Sequence, residues 1–128
     1  MKENKLYIAV IGAGETGTPL LEKLITAPFI KILGVSDLDE NAPGMVLARQ
    51  AHIPTFTNYM DVVKQDAKID IIMDVTGSHS VRDQLRHYMQ ESENHHTVIM
   101  HEMIAVLLMS LAHGKLVPFK HHDAVDYD

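Results

Sequence analysis

The feature that most constrains this chain is a glycine-rich segment placed directly after an apolar run. Residues 6–11, Leu-Tyr-Ile-Ala-Val-Ile, are apolar throughout, and Gly12-Ala13-Gly14-Glu15-Thr16-Gly17 follows at once. A continuous apolar run is typical of a strand that is buried on both faces of a sheet. The segment after the glycines has helical periodicity, with leucines at positions 20, 21 and 24 on one side. The sequence therefore predicts a strand, a tight turn and a helix in immediate succession.

The same alternation of short apolar runs with amphipathic segments continues along the chain, which is the pattern of βαβ units. It predicts an α/β fold with a doubly wound parallel sheet in three α/β/α layers. Its 128 residues suit one domain, so we predict a single domain over residues 1–128, with 120–128 as a tail. We further predict that Ser80 and Asp83 cap the fourth helix and that residues 116–119 add a short edge strand. The other predicted strands are 30–35, 54–56, 69–75 and 97–100, and the helices after the first are centred on 45–51, 59–65, 81–89 and 102–113.

The spacing G-x-G-x-x-G between a strand and a helix is suited to binding a diphosphate. Gly12 permits the tight turn, Gly14 lets the backbone approach a pyrophosphate, and Gly17 lets helix and strand pack closely. Free N–H groups and the positive end of the helix dipole then hold the phosphates. The intervening Ala13, Glu15 and Thr16 complete the predicted loop, and the Glu15 carboxylate must point away from the phosphates.

An acid follows the second predicted strand at about 20 residues from the glycines, as this motif requires. Asp37 would accept hydrogen bonds from the hydroxyls of an adenosine ribose and would repel a phosphate on that ribose. The sequence therefore predicts NAD(H) as the cofactor in preference to NADP(H). The alternative is that the glycines only make a turn and that Asp37 is a solvated loop residue.

The end of the fourth predicted strand supplies further candidate contacts, because ligands of such sheets lie beyond the carboxyl ends of the strands. We predict that Thr76, Gly77, Ser78 and His79 line the cofactor. His79, and likewise His101 after the fifth strand, either lies near a nicotinamide or caps a helix in contact with solvent. Asp70 and Asp74 are four residues apart on one strand, about 13 Å, which is too far for a coupled pair of carboxylates. We interpret them as acids that are solvated at strand ends and pack near helix starts.

These motifs resemble the amino-terminal NAD(P)-binding Rossmann domain of glucose–fructose oxidoreductase-like (Gfo/Idh/MocA) dehydrogenases. Homoserine and aspartate dehydrogenases and dihydrodipicolinate reductase have similar domains. The resemblance covers about residues 5–112 and rests on the glycine motif, on Gly34-Val35-Ser36-Asp37, on residues 48–59 and on Asp74-Val75-Thr76-Gly77-Ser78. It implies a Rossmann fold whose cofactor contacts include residues 12–17 and Asp37. The family's Glu-Lys-Pro motif is replaced by Glu102-Met103-Ile104, and the family's substrate domain has no counterpart in the sequence.

Composition limits the other functions that the chain can have. A formal net charge of -6 disfavours nucleic-acid partners. The absence of cysteine excludes disulfides, thiolate metal sites and a Cys nucleophile. The longest apolar stretch, residues 103–112, is far shorter than the roughly 20 residues of a membrane span, and the polar first five residues do not resemble a signal peptide. We therefore predict a cytoplasmic protein without a membrane partner, and no metal site, although His95-His96 and His121-His122-Asp123 are the alternative to consider.

The last predicted helix is apolar on every side, with methionines at 103 and 109 and leucines at 107, 108 and 111. An exposed stripe of this size is unusual on a monomer. We predict a homodimer through this C-terminal helix region; cover by the tail and a sixth strand is the alternative.

Three functions remain compatible with the sequence, which does not decide whether the chain is an enzyme. The first is a stand-alone NAD(H)-binding module with a sensing or regulatory role. The second is a small NAD-dependent oxidoreductase that is completed at a dimer interface or by a partner chain, with His79 or His101 as proton donor. The third is a binder of coenzyme A or of another adenine nucleotide on the same scaffold.

Overall fold

The computed structural model describes residues 4–118, in which five parallel strands form one sheet. The strand order is β3-β2-β1-β4-β5, so that the chain starts in the middle, fills one side and then crosses to the other. The strands are β1 (Leu6–Ile11), β2 (Ile30–Ser36), β3 (Thr55–Phe56), β4 (Ile71–Asp74) and β5 (Val98–His101). The helices are α1 (Gly17–Thr26), α2 (Pro43–Gln50), α3 (Tyr59–Val63), α4 (His79–Ser92) and α5 (Glu102–His113), with a 3-10 turn at Asp66–Lys68.

Helices cover both faces of the sheet, and β1 shows why its sequence is apolar throughout. Ile8 and Val10 face one core and Ala9 and Ile11 face the other, and all four side chains are buried. The first core is formed with α1, α2 and α5, and the second with α3 and α4. The predicted three-layer, doubly wound α/β fold is therefore confirmed.

The order of the strands determines where a ligand can bind. The chain runs from β1 to β2 and β3 on one side of β1 and then crosses from β3 to β4 on the other side, so a topological switch point lies between β1 and β4. Ligands of such sheets bind in the crevice outside the carboxyl ends of the strands at this point. The residues that follow β1, β2, β4 and β5 therefore meet at one edge of the molecule.

The prediction of an edge strand at residues 116–119 is wrong for residues 116–118, which the structure describes. Leu116, Val117 and Pro118 form no strand, and Phe119 lies outside the described residues, as does the predicted tail at 120–128. The backbone N–H of Val117 donates to Ser110 Oγ at 3.0 Å, and its side chain packs against the first core. This contact turns the segment back onto α5 instead of extending it beside β5.

Within residues 4–118, the helices are too short or too polar to cross a bilayer.

Candidate functional site

The three glycines of the motif differ in what surrounds them. Gly12 has a φ of 104°, and a Cβ there would lie 3.1 Å from the carbonyl carbon of Val75. A Cβ on Gly17 would lie 2.0 Å from the carbonyl oxygen of Gly12, which no side chain can tolerate. A Cβ on Gly14, in contrast, would meet nothing within 4 Å. The outer glycines are therefore required by the fold of the loop, and the middle one borders open space.

The loop also leaves backbone donors unused. Gly12 N–H donates to the carbonyl of Ser36 and Thr18 N–H to the carbonyl of Gly14. Among the described residues, the four N–H groups of residues 14–17 have no hydrogen-bond acceptor. They precede and begin α1, so the positive end of its dipole adds to their partial charges. Because the Glu15 side chain is exposed, this row of amides can bind an anion.

Asp37 lies against this loop. Its Oδ2 accepts the N–H of Ala13 at 2.8 Å, and its Oδ1 accepts the N–H of Asp39 at 2.9 Å. Each carboxylate oxygen has a second lone pair, so both can accept a further hydrogen bond from a hydroxyl. The two backbone contacts fix the orientation of the carboxylate at the end of β2. The start of α2 closes the same corner, since Gly44 N–H donates to the carbonyl of Ala13 at 2.9 Å.

A buried acid, Asp74, orders the segment after β4. Its side chain is 3% exposed, and Oδ1 accepts both the N–H of Thr76 at 3.1 Å and the hydroxyl of Thr76 at 2.7 Å. The hydroxyl oxygen of Thr76 in turn accepts the N–H of Ser78 at 3.1 Å. Asp74 therefore ends β4, as predicted, but its side chain is buried and not solvated. Burial, followed by the negative charge of Asp74, raises the pKa of Tyr59, whose hydroxyl donates to Gln84.

The residue that caps α4 is Ser78, so the prediction of Ser80 with Asp83 is wrong. Ser78 has extended backbone angles, and its Oγ accepts the N–H of Val81 at 3.2 Å. Ser80 already lies within the helix, and its Oγ accepts a hydrogen bond from Gln84. Ser78 therefore has a capping role at the site, while His79 is the exposed first residue of α4.

Sequence reasoning missed the role of Glu102, the first residue of α5. Its side chain is 9% exposed, and its Oε2 accepts a hydrogen bond from the hydroxyl of Thr16 at 3.2 Å. Gly77, with a φ of 70°, lies so close that a Cβ there would be 3.2 Å from Glu102 Oε1. The carboxylate thus joins the glycine loop to the β4–α4 loop. The available signal was an acid directly after β5, because β5 ends at the same edge as β1 and β4.

The two histidines considered for this edge have different surroundings. His101 Nδ1 lies 3.6 Å from Asp74 Oδ2, and its side chain is 35% exposed. This distance is too long for a hydrogen bond, and His101 Nδ1 has no hydrogen-bond partner among residues 4–118. His79 is the first residue of α4 and is exposed. Asp70 lies elsewhere: its carboxylate accepts the N–H of Tyr7 at 2.8 Å and pairs with His96 at 2.6 Å.

No group of three side chains suited to a metal ion occurs within residues 4–118. The alternative site at His121-His122-Asp123 lies outside the described residues.

The chain was compared with known proteins. No protein-family model matches it. It is 30% identical to an acetaldehyde dehydrogenase of Chloroflexus aggregans over 118 residues, which is 91% of this chain and 36% of that protein. It resembles a solved NAD-binding protein from Listeria innocua with a TM-score of 0.54 at 19% identity, over 87% of this chain and 34% of the other. GenD2 from gentamicin A biosynthesis, solved in complex with NAD, has a TM-score of 0.51 at 20% identity, over 77% of this chain and 34% of that chain.

The similarity to these solved structures agrees with the fold that the strand order indicates. The chain has the Rossmann fold. The predicted resemblance to the NAD-binding domains of oxidoreductases is confirmed, and the sequence relatives add the acetaldehyde dehydrogenases to the groups expected. The chain spans about a third of the length of the relatives it matches.

Proposed function

We propose that this chain binds NAD(H), with the pyrophosphate on the amides of residues 14–17 and the adenosine ribose on Asp37. One observation carries the proposal: the loop is open at Gly14, next to amides that have no acceptor among residues 4–118, while the Asp37 carboxylate accepts the Ala13 N–H at 2.8 Å. These are the two contacts that a dinucleotide needs from this half of the fold. The names of the relatives agree, since one structural neighbour is called an NAD-binding protein and another was solved with NAD.

The proposal requires selection against a phosphate on the adenosine ribose. We expect NAD⁺ to bind at least about ten-fold more tightly than NADP⁺, because the 2′-phosphate would meet the Asp37 carboxylate in a region with no Lys or Arg among residues 36–44. Isothermal titration calorimetry gives both dissociation constants. Asp37→Asn keeps a hydrogen-bond acceptor but removes the negative charge. We expect it to bring the dissociation constants of NAD⁺ and NADP⁺ closer together, mainly by improving NADP⁺ binding.

Asp83→Asn is the matched control, because Asp83 is an exposed acid on α4 whose side chain is 73% exposed. It should leave both dissociation constants unchanged. Equal affinity of the native chain for the two nucleotides would contradict the role of Asp37, and no saturable heat with either would contradict cofactor binding as a whole.

We propose that the chain is a binding, sensing or regulatory domain for this cofactor. Met103 occupies the position of the lysine in the Glu-Lys-Pro motif, and the segments that meet at the site supply no lysine. The chain also contains no cysteine to act as a nucleophile toward an aldehyde. Saturable NAD⁺ binding without NADH formation from acetaldehyde or other small aldehydes is the expected result.

A second candidate function is a small NAD-dependent oxidoreductase that is completed by a second chain. The proximity of His101 to Asp74 favours it. Reduction of a carbonyl by NADH requires a hydride from the cofactor and a proton from a nearby acid, which the protonated imidazole of His101, 3.6 Å from Asp74 Oδ2, can supply. Turnover of a carbonyl substrate that is lost in His101→Ala and reduced in Asp74→Asn, with NADH binding retained, would establish this candidate. Turnover that survives His101→Ala would remove the histidine from it.

We also propose that two copies pair through α5. Its buried residues include Ala105 and Met109, whereas the opposite face exposes Met103, Ile104, Leu107, Leu108 and Leu111 at 46% to 70%. The stripe carries no charge, so antiparallel packing against itself needs no complementary partner. Five such side chains on each copy bury on the order of 1,000 Å² in total, which is where specific interfaces begin.

Sedimentation equilibrium tests this pairing. We expect a mass near twice the 14.3 kDa of the chain at micromolar concentration. Leu107→Lys places a charge in the middle of the stripe and should give the monomer mass. Val46→Lys, at a partly exposed apolar position on α2, is the control that should remain dimeric. A monomeric native chain would reject the interface and leave the stripe to a different partner.

A further inference from the structure

The buried carboxylate of Glu102 lies between two loops of the candidate site. Thr16 in the glycine loop donates to it at 3.2 Å, and Gly77 in the β4–α4 loop borders its other oxygen. Glu102 is also the first residue of α5, a helix of 12 residues.

The position of Glu102 matters if the chain binds a dinucleotide, and the inference therefore rests on the proposed function. With the adenosine ribose on Asp37 beyond β2 and the pyrophosphate at the start of α1 beyond β1, the strand order leaves one direction for the rest of the molecule. The nicotinamide half must extend over the ends of β4 and β5. Glu102 follows β5 and contacts the loop that follows β4, so it belongs to this half of the site.

The acids around this half are not accompanied by Lys or Arg. Residues 12–18, 74–79 and 101–103 contain the acids Glu15, Asp74 and Glu102, the titratable His79 and His101, and no Lys or Arg. The nicotinamide ring is a cation in NAD⁺ and is neutral in NADH. A buried carboxylate interacts more strongly with a nearby cation than an exposed one, because less water screens it. Glu15 is exposed, and the Asp74 carboxylate already accepts hydrogen bonds from the N–H and the hydroxyl of Thr76.

We propose that Glu102 makes this site selective for the oxidised form of the cofactor. The carboxylate attracts the charged ring of NAD⁺ and gains nothing from the neutral ring of NADH. At separations of several ångströms in a partly screened site, one such charge gives a preference of roughly three- to ten-fold. A domain with this property responds to the ratio of NAD⁺ to NADH and not only to their sum, which is the property that a sensing or regulatory role requires.

Calorimetric titrations with NAD⁺, NADH and ADP-ribose separate this idea from a purely structural role. In the native chain we expect NAD⁺ to bind more tightly than NADH. ADP-ribose, which lacks the nicotinamide, provides the reference for both. Glu102→Gln should remove most of the preference by weakening NAD⁺ binding while NADH binding stays near its native value. Glu102→Asp keeps the charge and should keep part of the preference.

Glu22→Gln is the matched control, because it makes the same substitution at an exposed position on α1. It should leave the ratio of the two dissociation constants at its native value. A native chain that binds NAD⁺ no more tightly than NADH would overturn the inference, and this result does not depend on any variant being folded. An unchanged ratio in a folded Glu102→Gln would also overturn it. Failure of all three ligands to bind would instead contradict the proposed function.

Discussion

Replacement of Gly14 by valine is expected to abolish detectable NAD⁺ binding without lowering the melting temperature of the chain. Apart from the two chain neighbours, a Cβ at this position would meet no atom within 4 Å, so the side chain would start in open space. The same space is where the backbone must be approached by a pyrophosphate. We expect the dissociation constant to rise by at least about 30-fold, which corresponds to roughly 2 kcal/mol. Calorimetry measures the binding and differential scanning calorimetry the melting temperature.

Gly14→Ala provides a graded version of this experiment. Its single methyl group should weaken binding less than the valine does, with the same melting temperature. Native affinity in a folded Gly14→Val would show that the opening at this residue is not where the phosphates bind. Loss of both binding and stability would mean that Gly14 is needed by the fold, contrary to the structure.

Gly17→Ala is expected to have the opposite profile, with a large loss of stability. Its Cβ would lie 2.0 Å from the carbonyl oxygen and 2.8 Å from the carbonyl carbon of Gly12, both of which are backbone atoms. Relief of that overlap requires α1 to move away from the end of β1. We expect the free energy of unfolding to fall by about 3 kcal/mol or more, measured by urea denaturation.

Gly14→Ala serves as the control for Gly17→Ala, because it adds the same methyl group to the same loop at an open position. A Gly17→Ala chain with native stability would contradict the close approach of α1 to β1. Together the two positions separate the glycine that the cofactor requires from the glycine that the fold requires.

The sequence predicts much of this fold because its signals are local. The apolar run at residues 6–11 predicts a strand buried on both faces, and β1 is such a strand. The helix predicted over residues 102–113 has the same bounds in the structure, and Gly114 follows it at a φ of 79°. An acid in the first turn and a glycine after the last one are sufficient to locate such a helix.

The parts of the site that the sequence did not reveal depend on contacts between distant segments. Thr16 and Glu102 are 86 residues apart in the chain, and no pattern within either segment indicates their hydrogen bond. The burial of Asp74 likewise depends on the elements that pack around the end of β4. The cap of α4 was misplaced by two residues because Ser78 and Ser80 are both good capping residues, and only the backbone angles distinguish them.

We expect the amides of residues 14–17, at the start of α1, to bind a diphosphate. The most direct test is a ¹⁵N–¹H correlation spectrum of the labelled chain during titration with NAD⁺. We predict that the largest shifts occur at the amides of residues 14–17, with a second group at Ala13 and Asp39, whose N–H groups share the Asp37 carboxylate with the ribose. Saturable binding that leaves the amides of residues 14–17 unshifted would contradict the account.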